Sequence, residues 1–132
     1  MEPVVSSSHT LTLWPTEQVT SFAAADGNAL MTTSGNPIQI EIVPGSLHVN
    51  DTPDGNVYNK VLQFRVRRPS ADRTRDLSAL RMGEYVALYT DERGDRRACG
   101  SLNYPLTFTV SYQDGLYQCE LHGNGEETDL YV

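Results

Sequence analysis

The sequence predicts a mainly β protein, either a β-sandwich or a small barrel, with one short flanking helix over about residues 70–82. Three observations predict this fold class. Short segments of alternating apolar and polar residues recur along the chain, turn-forming Gly, Asn and Asp residues separate them, and only one segment has helical spacing. The chain has 132 residues, so residues 1–132 are expected to form a single domain with one core.

The first 36 residues predict an irregular arm or short strands, ahead of a β-rich core over residues 37–132. Leu11 and Leu13 favour one short strand that ends at Trp14 and Pro15. Loop and turn residues then dominate up to position 37. Such an arm either folds onto its own domain or adds a strand to a neighbouring chain.

Within the core, alternation predicts most of the strands. Tyr58 to Arg68 is the longest candidate, with Leu62, Phe64 and Val66 on one face. Residues 51–56 predict a turn, because this cluster contains an Asp-Gly dipeptide. The remaining strands are expected over residues 38–43, 46–50, 84–90, 96–101, 104–112, 116–121 and 128–132.

One helix is predicted between two of these strands. Pro69 ends the preceding strand, and Ser70 is suited to the N-cap position. Leu77 and Leu80 give the helix an apolar side. Gly83 is expected to end it in the left-handed conformation.

The charges are segregated along the chain. All ten Lys and Arg residues lie between Lys60 and Arg97, so residues 1–59, 60–97 and 98–132 carry net charges of −6, +4 and −5. This pattern predicts a dipolar surface that binds a partner. The partner can be a second copy of the chain. Part of the basic stretch is the solvated face of the helix. The candidate interface residues are therefore Arg65, Arg67, Arg68, Arg93, Arg96 and Arg97.

Composition argues against several classes of partner. A net charge of −7 disfavours nucleic acid, whose phosphates require a dominant basic field. No apolar run approaches the length of a membrane span. The N-terminus does not resemble a secretory signal, so a cytoplasmic location is expected where the protein is made.

A disulfide between Cys99 and Cys119 is geometrically possible, but two buried free thiols are favoured.

No catalytic constellation is recognisable, so we expect no enzyme activity, metal site, cofactor or small-molecule substrate. His9, His48 and His122 are widely spaced and lack the context of metal-binding motifs. A serine-nucleophile motif is absent from the sequence. Asp51 and Asp54 lack the glycine and distal glutamate of a calcium loop.

The order of elements over residues 62–105 resembles small structural proteins of bacterial prophages, from the tail or head–tail joining region. The resemblance covers about a third of the chain. It implies ring-shaped homo-oligomers, association with a virion, a partner that is the chain itself or another structural protein, and no catalysis. The alternative is a monomeric β-domain that binds a small ligand or a protein in a cleft. The residues that carry the resemblance are Phe64-Arg65-Val66-Arg67-Arg68-Pro69, Leu77, Leu80, Arg81, Tyr85-Val86-Ala87-Leu88-Tyr89, Asp91, Gly94, Arg97-Ala98-Cys99-Gly100-Ser101 and Tyr104-Pro105-Leu106.

Overall fold

A computed structural model describes residues 4–5, 10–67, 69–91, 93–125 and 129–132. In these ranges twelve strands join into one sheet, which is not closed into a barrel. The predicted mainly β fold class with one short helix is thereby confirmed. The strands are β1 (Val4–Val5), β2 (Thr10–Pro15), β3 (Val19–Ala25), β4 (Asn28–Thr33), β5 (Ile38–Glu41), β6 (His48–Asp54), β7 (Val57–Val66), β8 (Glu84–Thr90), β9 (Arg96–Cys99), β10 (Leu106–Gln113), β11 (Leu116–Gly125) and β12 (Leu130–Tyr131).

The predicted helix is α1 (Ala71–Ala79), continued by a 3-10 turn over Leu80–Met82. A second 3-10 turn, Thr16–Gln18, joins β2 to β3. The Ser70 hydroxyl accepts the Arg73 N–H at 3.0 Å, so the predicted N-cap is confirmed. Among the described residues, no helix is long and apolar enough to cross a membrane.

The prediction for Gly83 was wrong. Its φ of −115° and ψ of 178° are extended, so this residue does not end the helix in the left-handed conformation. Glycine is required there by space, because a Cβ atom would lie 2.6 Å from the Tyr85 hydroxyl oxygen. That hydroxyl donates to the Leu80 carbonyl at 2.8 Å and fixes the approach of β8 to the helix.

The strands follow the order β1-β6-β7-β11-β10-β8-β9-β12-β4-β3, and β2 bridges β5 and β8. Asp26-Gly27 and Asp114-Gly115 turn the β3–β4 and β10–β11 hairpins with positive φ at both residues, as the type I′ turn demands. The turn predicted over residues 51–56 is shorter than expected. Strand β6 continues to Asp54, so Asp51 lies in a strand and pairs with Lys60.

One face of the curled sheet encloses the main core. Leu62, Phe64 and Val66 of β7 point into it, which confirms the predicted facing of this strand. Leu11 and Leu13 of β2 are fully buried there. Both cysteines are buried and free. The other strands contribute Ile40, Val49, Tyr85, Ala87, Tyr89, Cys99, Leu106, Phe108, Tyr117, Cys119 and Leu121.

A second, smaller core lies on the opposite face of β8. Leu88 and Ala98 pack there against Ala29 of β4 and Leu130 of β12. Strand β12 is antiparallel to β9 and parallel to β4. Within the described ranges, the β3–β4 hairpin therefore reaches the rest of the sheet through β12. Strand β8 is covered on both sides.

Candidate functional site

Three charged side chains are buried together at one end of the main core. The Lys60 Nζ atom lies 2.7 Å from Asp129 Oδ1 and 3.3 Å from Asp51 Oδ2. The exposed fractions of the three side chains are only 4%, 5% and 6%. Charges are rarely removed from water in this way, because desolvation is costly unless the ions pair closely.

The strand alternation explains why these residues point inward. Lys60 lies two residues before Leu62 on β7 and so shares its core-facing side. Asp51 is the direct cross-strand partner of Lys60 on β6 and lies two residues after the buried Val49. Asp129, just before β12, reaches the same point from the far end of the chain.

Further polar groups complete what we term the buried cluster (Asp51, Lys60, Tyr89, Cys99 and Asp129). The Tyr89 hydroxyl donates to Asp129 Oδ2. The Asp129 N–H donates to Asp51 Oδ2 at 3.4 Å. Cys99 is fully buried beside them. The cluster thus connects strands β6, β7, β8 and β9 with the segment that leads into β12.

Burial and neighbouring charges shift the protonation equilibria of the cluster. Burial, followed by repulsion from the Asp129 carboxylate, raises the pKa of Asp51 above its ordinary value of 3.8. Burial alone would lower the pKa of Lys60, but attraction from the Asp129 and Asp51 carboxylates and the hydrogen bond to Asp129 outweigh it and raise that pKa. Lys60 therefore keeps its proton and its positive charge.

The other two groups also keep their protons. Burial and the Asp129 carboxylate raise the pKa of the Tyr89 phenol and that of the Cys99 thiol. A buried thiol that stays protonated is a poor nucleophile, and so is an ammonium. The chemistry that the cluster supports is charge pairing and proton binding.

A cleft of about 270 Å³ opens beside the buried cluster. Lys60 forms part of its wall, although the side chain of this residue is only 4% exposed. Apolar side chains from β3, the 100–104 loop and β12 line one part of the cleft, and amides line another. The lining residues are Phe22, Ala24, Lys60, Ala98, Gly100, Ser101, Leu102, Asn103, Tyr104, Asn124, Gly125 and Leu130.

The predicted interface arginines occupy two separate places. Arg65 and Arg67 are exposed at the end of β7, whereas Arg93 and Arg96 are exposed around the turn between β8 and β9. Strands β7 and β9 lie four positions apart in the sheet order. Arg68 lies outside the described residues. The fold thus brings Arg93, Arg96 and Arg97 onto one hairpin, away from Arg65 in the strand order.

Arg97 is occupied by contacts within the chain. Its guanidinium donates to Asp91 Oδ2 at 3.1 Å and to the Asp129 carbonyl at 2.9 Å. It also stacks over the Tyr131 ring at 3.7 Å. Burial favours the protonated form of Asp91, but hydrogen bonds from Asp95, Arg97 and Arg93 outweigh it and lower the pKa of Asp91. Arg97 therefore helps to hold β12 in place.

Strand β3 forms an edge of the sheet in the described part of the chain, where it pairs only with β4. The turn after β3 has two central residues. The backbone groups of Ala25 and Ala23 therefore form hydrogen bonds with β4. The backbone N–H and C=O groups of Phe22 and Ala24 consequently point to the open side. Residues 18–25 contain no charge and no proline, so these two protections of an edge strand are missing. The pairing of β3 with β4 does shift register between Val19 and Ser21.

An exposed apolar side chain lies next to this edge. Leu30 of β4, the cross-strand partner of Ala23, is 70% exposed. The open edge and Leu30 together form a surface that we term the β3 edge (residues 19–25 with Leu30).

Sequence reasoning missed the buried cluster but had one signal for it. The same alternation that placed Leu62 inward also places Lys60 inward, and a lysine on a core face demands an acidic partner. Nothing in the sequence identified that partner, because Asp129 is 69 residues away. Asp51 was assigned to a turn.

Comparison of the chain with protein-family models, with curated proteins and with solved structures finds no match.

Proposed function

We propose that this chain is a non-enzymatic structural protein that self-associates, as the resemblance to phage tail and connector components implies. The single observation that carries the proposal is the β3 edge. Two copies join there by antiparallel pairing of β3 with β3, which continues the sheet from one copy into the next. Self-association by strand addition is a common way of using an open edge.

The backbone geometry of β3 supports this pairing. Phe22 and Ala24 each offer an N–H and a C=O group on the open side, and a second β3 strand in antiparallel orientation offers the same groups in return. Such a contact is isologous, since the same surface is used on both copies. The small side chains of Ala23 and Ala25 leave room for a close approach.

The side chains support it too. In many proteins a lysine or a proline on the edge strand prevents pairing with another chain. Residues 18–25 have neither, although the chain as a whole carries 20% charged residues. The exposed Leu30 adds apolar surface that a second copy covers.

The test adds a charge to this edge. Ala23→Lys places an ammonium on the exposed face of β3 in both copies, where like charges oppose pairing. Light scattering after size-exclusion chromatography, at roughly 5–500 µM protein and about 0.5 M salt to screen other surface charges, measures the mass. We expect the unaltered chain to dimerise with rising concentration and Ala23→Lys to remain monomeric.

Ala79→Lys is the matched control. It makes the same change at an exposed alanine near the end of α1, away from the β3 edge. It should associate as the unaltered chain does. A constant monomer mass for the unaltered chain over the whole concentration range contradicts the proposal, and so does equal association of both lysine variants.

The cleft favours a second candidate function, a monomeric domain that binds a small ligand. Its volume of about 270 Å³ is just below the range of about 300–1,000 Å³ for ligand sites. Phe22 and Leu102 line an apolar part of it, and Asn103 and Asn124 supply amides. The same experiment separates the two candidates, because a binding domain of this kind has a mass that does not change with concentration.

A further inference from the structure

The buried cluster contains two acidic side chains and only one basic side chain. Asp51 and Asp129 are both almost fully buried, and Lys60 is the cation placed between them. With both carboxyl groups ionised, the trio carries a net charge of −1 inside the protein. An uncompensated buried charge is so costly that the group normally binds a proton instead.

The contact distances indicate which carboxyl group takes that proton. Asp129 accepts the short 2.7 Å bond from Lys60 and also the Tyr89 hydroxyl. Asp51 has only longer contacts, at 3.3 and 3.4 Å to Lys60 and at 3.4 Å to the Asp129 N–H. The anion with the weaker hydrogen bonds is the easier one to protonate.

Asp129 also connects the cluster to β12. It directly precedes Leu130, which packs into the second core. The next residue, Tyr131, donates its N–H to the Gly27 carbonyl at 2.9 Å and so holds the β3–β4 turn. Lys60 therefore anchors, through Asp129, the strand that joins the β3–β4 hairpin to the sheet.

We propose that Asp51 is a proton-binding switch. With its carboxyl group protonated, the cluster is neutral and holds β12 firmly between β9 and β4; with this group ionised, the hold weakens. The effect on the β3 edge, which the hairpin carries, rests on the proposed function, whereas the proton site itself does not.

The direction of the pH dependence follows from the surroundings of Asp51. Its pKa is raised in the folded chain, so the folded state binds the proton more tightly than the unfolded state does. This contribution to stability is complete below the ordinary pKa of 3.8 and is lost as the pH rises through the raised pKa. Mild acid therefore tightens the hold on β12, which is opposite to the behaviour of an ordinary salt-bridged aspartate.

The facing groups in the described part of the chain do not reverse this direction. Lys60 from β7, Tyr89 from β8, and Cys99 and Arg97 from β9 all have raised pKa values. They keep their protons throughout the mildly acidic range. Near these groups, Asp91 has a lowered pKa and stays ionised.

Two measurements on the full chain test the switch. Carbon-13 NMR of the side-chain carboxyl groups, from about pH 3 to about pH 8, should give Asp51 a midpoint above 3.8. Hydrogen exchange at the Tyr131 amide, corrected for the intrinsic rate, should show protection that falls as Asp51 ionises.

Asp51→Asn removes the ionisation but keeps the shape of the side chain. We expect high protection of the Tyr131 amide at every pH in this variant. Asp76→Asn, at an exposed position on α1, has the same change in charge and should keep the pH dependence of the unaltered chain.

An Asp51 midpoint at or below 3.8, or an unchanged pH dependence in Asp51→Asn, would overturn the proposal. The carboxyl titration uses the unaltered chain, so it decides even where a variant fails to fold. Neither measurement depends on self-association. Their failure is thus distinguishable from a failure of the proposed function.

Discussion

Lys60 forms ion pairs with both carboxylates of the buried cluster. It separates two carboxylates that would otherwise lie close together without a cation, and its pKa is raised by both of them. Buried pairs of this kind contribute little net stability relative to an apolar replacement, yet breaking one side of a pair is strongly destabilising. Lys60 is therefore indispensable to Asp51 and Asp129.

Lys60→Met should lower the free energy of unfolding by about 3–5 kcal/mol at neutral pH, the usual cost of an unpaired buried charge. Urea denaturation measures this loss. The variant should regain part of its stability as the pH falls, because protonation removes the two bare charges.

The control for this prediction is the triple variant Lys60→Met, Asp51→Asn, Asp129→Asn, which removes all three charges together. It should be more stable than Lys60→Met alone. A loss below about 1 kcal/mol for Lys60→Met, the value typical of a surface pair, would mean that the ammonium is not buried in solution.

At the scale of elements, the join between α1 and β8 depends on close contact rather than on backbone freedom. Tyr85 places its hydroxyl against the Leu80 carbonyl and over Gly83. The other end of the helix is held similarly: the Tyr117 hydroxyl lies 2.6 Å from the Thr74 hydroxyl and receives the Ser70 N–H at 3.3 Å. Two tyrosines of the sheet thus fix the helix at both ends.

Gly83→Ala should destabilise the fold by about 1–3 kcal/mol, the usual cost of inserting a methyl group where no space exists. The new methyl would lie 2.6 Å from the Tyr85 hydroxyl oxygen. A double-mutant cycle with Tyr85→Phe, followed by chemical denaturation, should show coupling, since removal of the oxygen relieves part of the clash. Strict additivity of the two losses contradicts this explanation.

The alternation of apolar and polar residues within each strand made many of these elements predictable. It correctly identified β8 over residues 84–90 and the buried faces of β7 and β10. Glycine was harder to interpret, because the sequence does not distinguish Gly83, which is needed for space, from Gly27, which is needed for positive φ. The extent of β6 was missed because Asp51 and Pro53 are turn-forming types, and the cross-strand partner Lys60 overrides that preference.

At the scale of the whole molecule, the charge segregation along the chain becomes two groups of arginines in different places. Arg97 is half-buried and is held by contacts within the chain, where it binds Asp91 and stacks on Tyr131. Arg65 and Arg67 are exposed, and their role as a contact surface stays a prediction. The proposed contact at the β3 edge would join copies in pairs, so a second surface would be required for anything larger than a dimer.

The double variant Arg65→Glu, Arg67→Glu should limit the mass to that of a dimer at low salt, because it removes the attraction between this basic surface and an acidic flank of another copy. Light scattering at low and high ionic strength measures this. Arg81→Glu, at an exposed position in the 3-10 turn after α1, serves as the control and should leave the mass unchanged. The same mass for the double variant and the unaltered chain would remove these arginines from any interface.

Long-range arrangement was the part that the sequence did not reveal. The alternation of residues along the sequence does not indicate that β2 pairs with β8 or that Asp129 contacts Lys60, because these contacts join distant segments. The candidate site depends on those contacts. Its inward lysine was predictable, whereas its geometry was not.

Strand β8 is covered on both sides by the two cores, and its position in the sheet affects how fast the chain folds. Its partner residues on β2 lie far away along the chain, such as Thr12 opposite Leu88. The entropy of closing such large loops is lost before the contacts that reward it can form. Folding of this chain should therefore be slow for its size, in the range of about milliseconds to seconds typical of proteins with many distant contacts.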